Sequence, residues 1–253
     1  MYNKKETDIS YKYLKSIISK LKEPIIIIGG WATYFTVSKN YKKEFGLEYI
    51  GSRDVDLGFN TIKSFKGTCN ILEENGFEFV CFRYLKEISY ETGKELTKEE
   101  SKVMPIHNIF PMYIDLLISE TNSKVEKELG FAPADEPLVK LIFDNKSYRT
   151  ELVEFNKKLW LPSPSLLLTT KVNSIVNRIL DHKRIKDYCD IVALCLYSGE
   201  NLDDLVFFVK EHAIKERILK LKEIIDQEEL EQVADILRIN IDIINRVISK
   251  IIE

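Results

Sequence analysis

Two aspartates, Asp54 and Asp56, alternate inside "YIGSRDVDLGF" (residues 49–59), a stretch that otherwise has the pattern of a buried β-strand. Alternation puts Asp54, Asp56 and Gly58 on one face and Val55, Leu57 and Phe59 on the other. Residues two apart on a strand stand about 6.6 Å apart along the chain. Ionised carboxylates so placed repel each other, and burial makes the repulsion worse. Divalent cations about 3.5–4 Å apart can be bridged by paired carboxylates, which turns the repulsion into cation binding. A third carboxylate, Asp115, lies mid-way through the apolar run "PMYIDLLIS" (111–119) and shares its face with Tyr113 and Leu117. Gly29 and Gly30 end another apolar run and open a helix, where backbone without a Cβ can approach phosphate oxygens. Together these residues suggest a site for Mg²⁺ and a nucleotide.

Plainer readings stand beside that one. Asp54 and Asp56 can sit on a solvated strand face, and Asp115 can pair with a buried lysine or arginine. Arg53 has two readings, an ion pair or a phosphate contact, and Gly29-Gly30 taken alone is an ordinary turn.

The positioning elements follow from periodicity. Asp8 or Ser10 can cap a first helix whose apolar residues Leu14, Ile17, Ile18 and Leu21 have helical spacing, with Pro24 ending it. Ile25–Gly30 reads as a strand buried on both faces, followed by a helix over 31–41 and a charged insert over 42–48. The strand bearing Asp54 and Asp56 leads to a helix over Thr61–Glu74, stopped by Asn75-Gly76. "FEFVCFRYL" (77–85) reads as one strand, then a polar loop, then the Asp115 strand; "LVKLIF" (138–143) and "RTELVEF" (149–155) are further strand-like pieces. After "LPSPS" (161–165) the texture changes. Segments of helical period fall at 165–180, 183–198, 201–212, 213–225, 227–237 and 240–252. An α/β domain over 1–162 followed by a helical domain over 163–253 is expected.

Bulk composition narrows the class. With 253 residues, 45% hydrophobic and 30% charged, the chain can bury a core, and no apolar run is long enough to span a bilayer. The N-terminus leads into an amphipathic helix rather than a signal-peptide core, so a cytoplasmic, reduced protein is expected. Four cysteines without a C-x-x-C pair and three histidines make a structural zinc site unexpected. A net charge of −3 argues against non-specific coating of nucleic acid, while Lys183, Arg184 and Lys186 keep a local basic contact open.

"IIIIGGWATYF" and "GSRDVDLGF", followed by Asp115 in "MYIDLLI", resemble the glycine motif, the Asp-x-Asp motif and the third carboxylate of the DNA polymerase β nucleotidyltransferase superfamily. In the second half, Lys171 followed by Lys186, Asp187 and Asp190 resembles the AbiEii-like toxin branch. The resemblance spans about residues 25–200. Two departures are the long gap between Gly30 and Asp54, and Gly-Gly-Trp where Gly-Ser is common.

The resemblance implies an α+β, nucleotidyltransferase-like mixed sheet with flanking helices and an all-helical C-terminal domain. It implies transfer of a nucleoside monophosphate from an NTP to an acceptor hydroxyl on tRNA, a protein or a small molecule, with an antitoxin protein as a further partner. Asp54, Asp56 and Asp115 would hold Mg²⁺ or Mn²⁺. Gly29, Gly30, Ser52, Arg53 and Lys171 would meet the nucleotide, and Lys171 and Asp187 would join the three carboxylates in catalysis. Two rival expectations are a non-catalytic module of the same fold and an aminoglycoside-type adenylyltransferase.

Overall fold

The computed structural model describes residues 3–253. They form two bodies, one containing residues 3–31 and 50–161, the other residues 32–49 and 162–253. The boundary expected at 162/163 lies one residue from the later division, and the segment 32–49 belongs with the helices.

The first body begins with α1 (Lys4–Lys20), β1 (Ile25–Ile28) and the first residues of α2 (Gly29–Phe45), and continues with β2 (Val55–Phe59) and α3 (Ile62–Glu74). There follow β3 (Glu78–Val80), β4 (Arg83–Ser89), α4 (Lys98–Val103), β5 (Ile109–Ile118) and α5 (Ser123–Leu129). It closes with β6 (Ala134–Asp135), α6 (Val139–Asp144), β7 (Arg149–Glu154) and β8 (Lys157–Pro162). The strands make one mixed sheet in the order β3-β4-β5-β2-β1-β8-β7, with β6 also beside β5. β1 is buried along its whole length, as a run of four isoleucines in mid-sheet demands, and pairs antiparallel with β2 and parallel with β8. β5 alternates, its even-numbered residues buried and its odd-numbered ones, Asp115 among them, partly open.

The second body takes most of α2 and the helices α7 (Pro164–Ile175), α8 (Asp181–Tyr197), α9 (Leu202–His212), α10 (Lys215–Ile224), α11 (Gln227–Leu237) and α12 (Ile241–Ile252). Ser163 caps α7 by accepting from Leu166 N–H, with Pro164 in its first turn, so the proline pair starts a helix as well as marking a boundary. Within this body Asn40 donates to the Tyr197 carbonyl at 2.9 Å and the Tyr41 hydroxyl donates to the Leu237 carbonyl at 3.1 Å. The expected α+β architecture, a mixed sheet with flanking helices and then a helical region, is what the chain adopts. Among the described residues no helix is long and apolar enough to cross a membrane.

Several elements differ from the sequence reading. α1 starts earlier because Asn3 caps it and Glu6 completes the capping box. Ser10, expected as a cap, is fully buried and accepts the Trp31 indole N–H at 3.1 Å. The glycines belong to α2 rather than to β1. "LVKLIF" falls mainly in a short helix, α6, with Val139 and Ile142 buried three apart on one face. "FEFVCFRYL" is a hairpin of β3 and β4, turned at Cys81, whose φ of 60° is left-handed. α7 ends at Ile175, and β8, absent from the reading, carries Trp160 next to β1.

Candidate functional site

The sheet register assembles the acidic residues. β2 and β5 run parallel with Asp56 beside Asp115, so two carboxylates from different strands are cross-strand neighbours. β4 runs antiparallel on the other side of β5 with Tyr84 opposite Ile114. One step further along that pair, Arg83 reaches Asp115: its Nε donates to Oδ1 at 2.8 Å and its Nη2 to Oδ2 at 2.5 Å. The same Nη2 stands 3.7 Å from Asp54 Oδ2. The guanidinium lies 4.0 Å from the centre of the Tyr113 ring, the neighbour that shares Asp115's face of β5. Burial works against the charge on Arg83, but the hydrogen bond and charge of Asp115, with Asp54 and Asp56, raise its pKa above the ordinary arginine value. Asp115 thus has an arginine partner, Arg83, which the sequence reading did not name. The available signal was Arg83 as the one cation within "FEFVCFRYL" (77–85).

The glycine turn is shaped by the same strand. Gly29 has φ +64°, and a Cβ built there would lie 2.0 Å from Asp56 Oδ2. A Cβ on Gly30 would lie 2.7 Å from Ser52 Oγ and 2.8 Å from Ser52 Cβ. Both glycines are thus required by close approach: Asp56 crowds the first residue of α2 and buried Ser52 the second. Arg53 pairs with Glu6 (Nε–Oε2 3.4 Å) and lies 5.4 Å over the Phe110 ring. Asp54, Asp56, Asp115, Gly29, Gly30, Ser52 and Arg53 all belong to the sheet body.

Lys171, Asp187 and Asp190 form a second cluster inside the helical body. Lys171 Nζ lies 2.7 Å from Asp187 Oδ1 and 2.7 Å from Asp190 Oδ2. Asp187 is also paired with Arg178 at 2.6 Å, and Asp190 with Lys186 at 2.5 Å. The Tyr49 hydroxyl donates to Asp190 Oδ1 at 2.8 Å. Lys171 is buried. Burial pushes its pKa down, but Asp187 and Asp190 outweigh burial and hold the ammonium well above the usual lysine range. Burial raises Asp190, and Lys171 and Lys186 outweigh that to leave its carboxyl below the usual aspartate value. Burial together with Asp190 lifts the Tyr49 phenol well above its ordinary value. Arg178 and Tyr49 were missed by the sequence reading, because no spacing rule connects them to Asp187 or Asp190.

As a donor set, Asp54, Asp56 and Asp115 offer hard carboxylate oxygens from neighbouring strands, the kind that Mg²⁺ or Mn²⁺ prefers. Their convergence is incomplete: among the described residues no three acidic, histidine or cysteine side chains are drawn together to hold an ion. Arg83 holds both oxygens of Asp115.

No protein-family model matches this chain, and no curated protein matches it. One solved structure, an antigenic nucleotidyltransferase-like protein from Paracoccidioides brasiliensis, is similar with 17% identity and a TM-score of 0.37, over 75% of this chain and 74% of that one. At a TM-score of this size the likeness carries no argument about what the chain does.

Proposed function

We propose that the sheet body is the catalytic part of a metal-dependent nucleotidyltransferase, moving a nucleoside monophosphate from an NTP to an acceptor hydroxyl. The observation that carries the proposal is the pairing in register of Asp56 with Asp115, with Asp56 pressed against the glycine that begins α2. Asp54, Asp56 and Asp115 would hold Mg²⁺ or Mn²⁺, whose charge would offset that of the triphosphate. The N–H groups of the first turn of α2 and the Ser52 hydroxyl are the donors this reading gives the phosphates; a hydroxyl from residue 52 beside Gly30 stands in for the serine that Gly-Gly-Trp lacks. Asp115 takes the proton of the acceptor hydroxyl as its oxygen bonds to the α-phosphorus and the bond to pyrophosphate breaks.

The toxin-type branch, with an antitoxin partner, is supported by the spacing of Lys171, Lys186, Asp187 and Asp190 and by nothing else in the chain. The acceptor classes are tRNA, a protein hydroxyl and a small molecule such as an aminoglycoside. The deciding experiment incubates the protein with Mg²⁺, each α-labelled NTP, total tRNA and cell extract. Label moving to an acceptor with wild type but not with Asp56→Asn supports the proposal and names the acceptor; no transfer to any acceptor counts against it.

A second reading, a non-catalytic binding module, is favoured by the Arg83–Asp115 fork, which already satisfies one of the three carboxylates. It expects an Asp54→Asn/Asp56→Asn variant to be more stable than wild type, with no nucleotide bound by either.

A further inference from the structure

We propose that Arg83 is the resident counter-ion of the acidic row: it competes with a divalent cation for Asp115 and Asp54, and releases them when the phosphates of a nucleotide offer it a better partner. The inference rests on the metal-dependent reading of the same carboxylates.

Four observations combine. The β4–β5 pairing delivers Arg83 to Asp115 from the side opposite Asp56, so the guanidinium is built into the row rather than carried there by a mobile loop. It grips both Asp115 oxygens while also facing Asp54, and the Tyr113 ring supports its plane. Those two oxygens belong to the donor set the metal-dependent reading uses, and among the described residues no three such side chains are drawn together to hold an ion. Finally, Arg83, Asp54 and Asp115 are each about a fifth exposed, open enough for exchange and buried enough for charges to be felt.

Physical chemistry fixes the direction. Arginine stays protonated at any ordinary pH, so proton loss cannot vacate Asp115; only another cation or another anion can. A divalent ion arriving beside the guanidinium meets like-charge repulsion as well as engaged ligands. A triphosphate relieves both, because phosphate oxygens match the arginine fork as well as a carboxylate does. Metal and nucleotide binding are then positively coupled, and the coupling factor is the same whichever binds first.

The test is a Mn²⁺ titration followed by electron paramagnetic resonance, on the full chain, with and without an α,β-methylene NTP. Wild type is expected to bind Mn²⁺ weakly alone and more tightly with the analogue. Arg83→Gln is expected to bind Mn²⁺ alone on the order of tenfold more tightly than wild type, and to lose most of the gain from the analogue. Tyr113→Leu, which keeps the charge but removes the supporting ring, should fall between the two, and provides the reading if Arg83→Gln does not fold. If wild type binds Mn²⁺ with the analogue, Asp56→Asn does not, and both Arg83→Gln and Tyr113→Leu match wild type throughout, Arg83 is no competitor, although the metal-dependent reading stands. If no protein binds Mn²⁺ under either condition, the metal-dependent reading falls and takes this inference with it.

Discussion

In the sheet body Asp54 and Asp115 keep about a fifth of their side chains exposed and share one guanidinium, whereas in the helical body Asp187 and Asp190 are 3% and 0% exposed and are met by Lys171, Lys186, Arg178 and the Tyr49 hydroxyl. The residue type is the same and the surroundings differ in access to water. A buried carboxylate survives only if its charge is answered from within, so the helical cluster carries its own cations. A partly open carboxylate row has water to answer part of its charge and can exchange ions with the outside. The first arrangement answers its charge from within the helical body; the second is the one for which we propose a ligand.

Variants can break or sharpen that contrast. The largest effect is expected from Asp56→Asn: under the proposed function, nucleotide transfer falls about a thousandfold or more, since that reading assigns several kcal/mol of transition-state stabilisation to the carboxylate row, while the urea midpoint stays level or rises. Lys171→Met should do the reverse to stability, costing about 3 kcal/mol in urea denaturation because Asp187 and Asp190 lose a cation both share. If Lys171→Arg retains stability yet abolishes transfer, the helical cluster has a chemical role too, and the contrast fails.

Gly29→Ala is intermediate. A left-handed φ at an alanine costs roughly 1–2 kcal/mol, and the new methyl must displace the Asp56 carboxylate. Transfer should therefore fall further than stability does, measured by initial rates alongside thermal melts.

The smallest effect is the pH profile. Asp190 is held below its unfolded pKa, so its contribution is present above the unfolded value near ~3.9 and is lost as pH falls through the native one. Lys171 is held above its unfolded value, so its contribution is complete below ~10.4 and is lost as pH rises through the native one. The stability difference between wild type and Lys171→Met should hence be level from about pH 5 to pH 9 and shrink only outside that window.

The site's strands and its glycine turn were legible because burial leaves a period in sequence: four isoleucines before Gly29, alternation around Asp56, and a single charge in the apolar run of β5. The hairpin between β3 and β4 was not, because Cys81 and Phe82 carry none of the usual turn chemistry and the left-handed residue is not a glycine. Missing that turn hid Arg83, since only the reversal brings β4 alongside β5. The burial of Lys171 was hidden for a related reason. Leu166, Leu167 and Leu168 are consecutive and all fully buried, so α7 has no clean polar stripe, and the partners that make a buried lysine tolerable lie 16 and 19 residues later on α8. Helix type in the second half was readable; which charges meet was set by helix packing, about which local periodicity is silent.

The turn at Cys81 leaves the chain with a ready spectroscopic handle. Of the four free thiols, those of Cys69, Cys189 and Cys195 are buried and that of Cys81 is exposed, two residues ahead of Arg83. A maleimide spin label or fluorophore can therefore be placed at the tip of the hairpin in the unmutated protein. Its mobility then gives a direct readout, in real time, of whether the strand bearing the guanidinium shifts when metal and nucleotide are added.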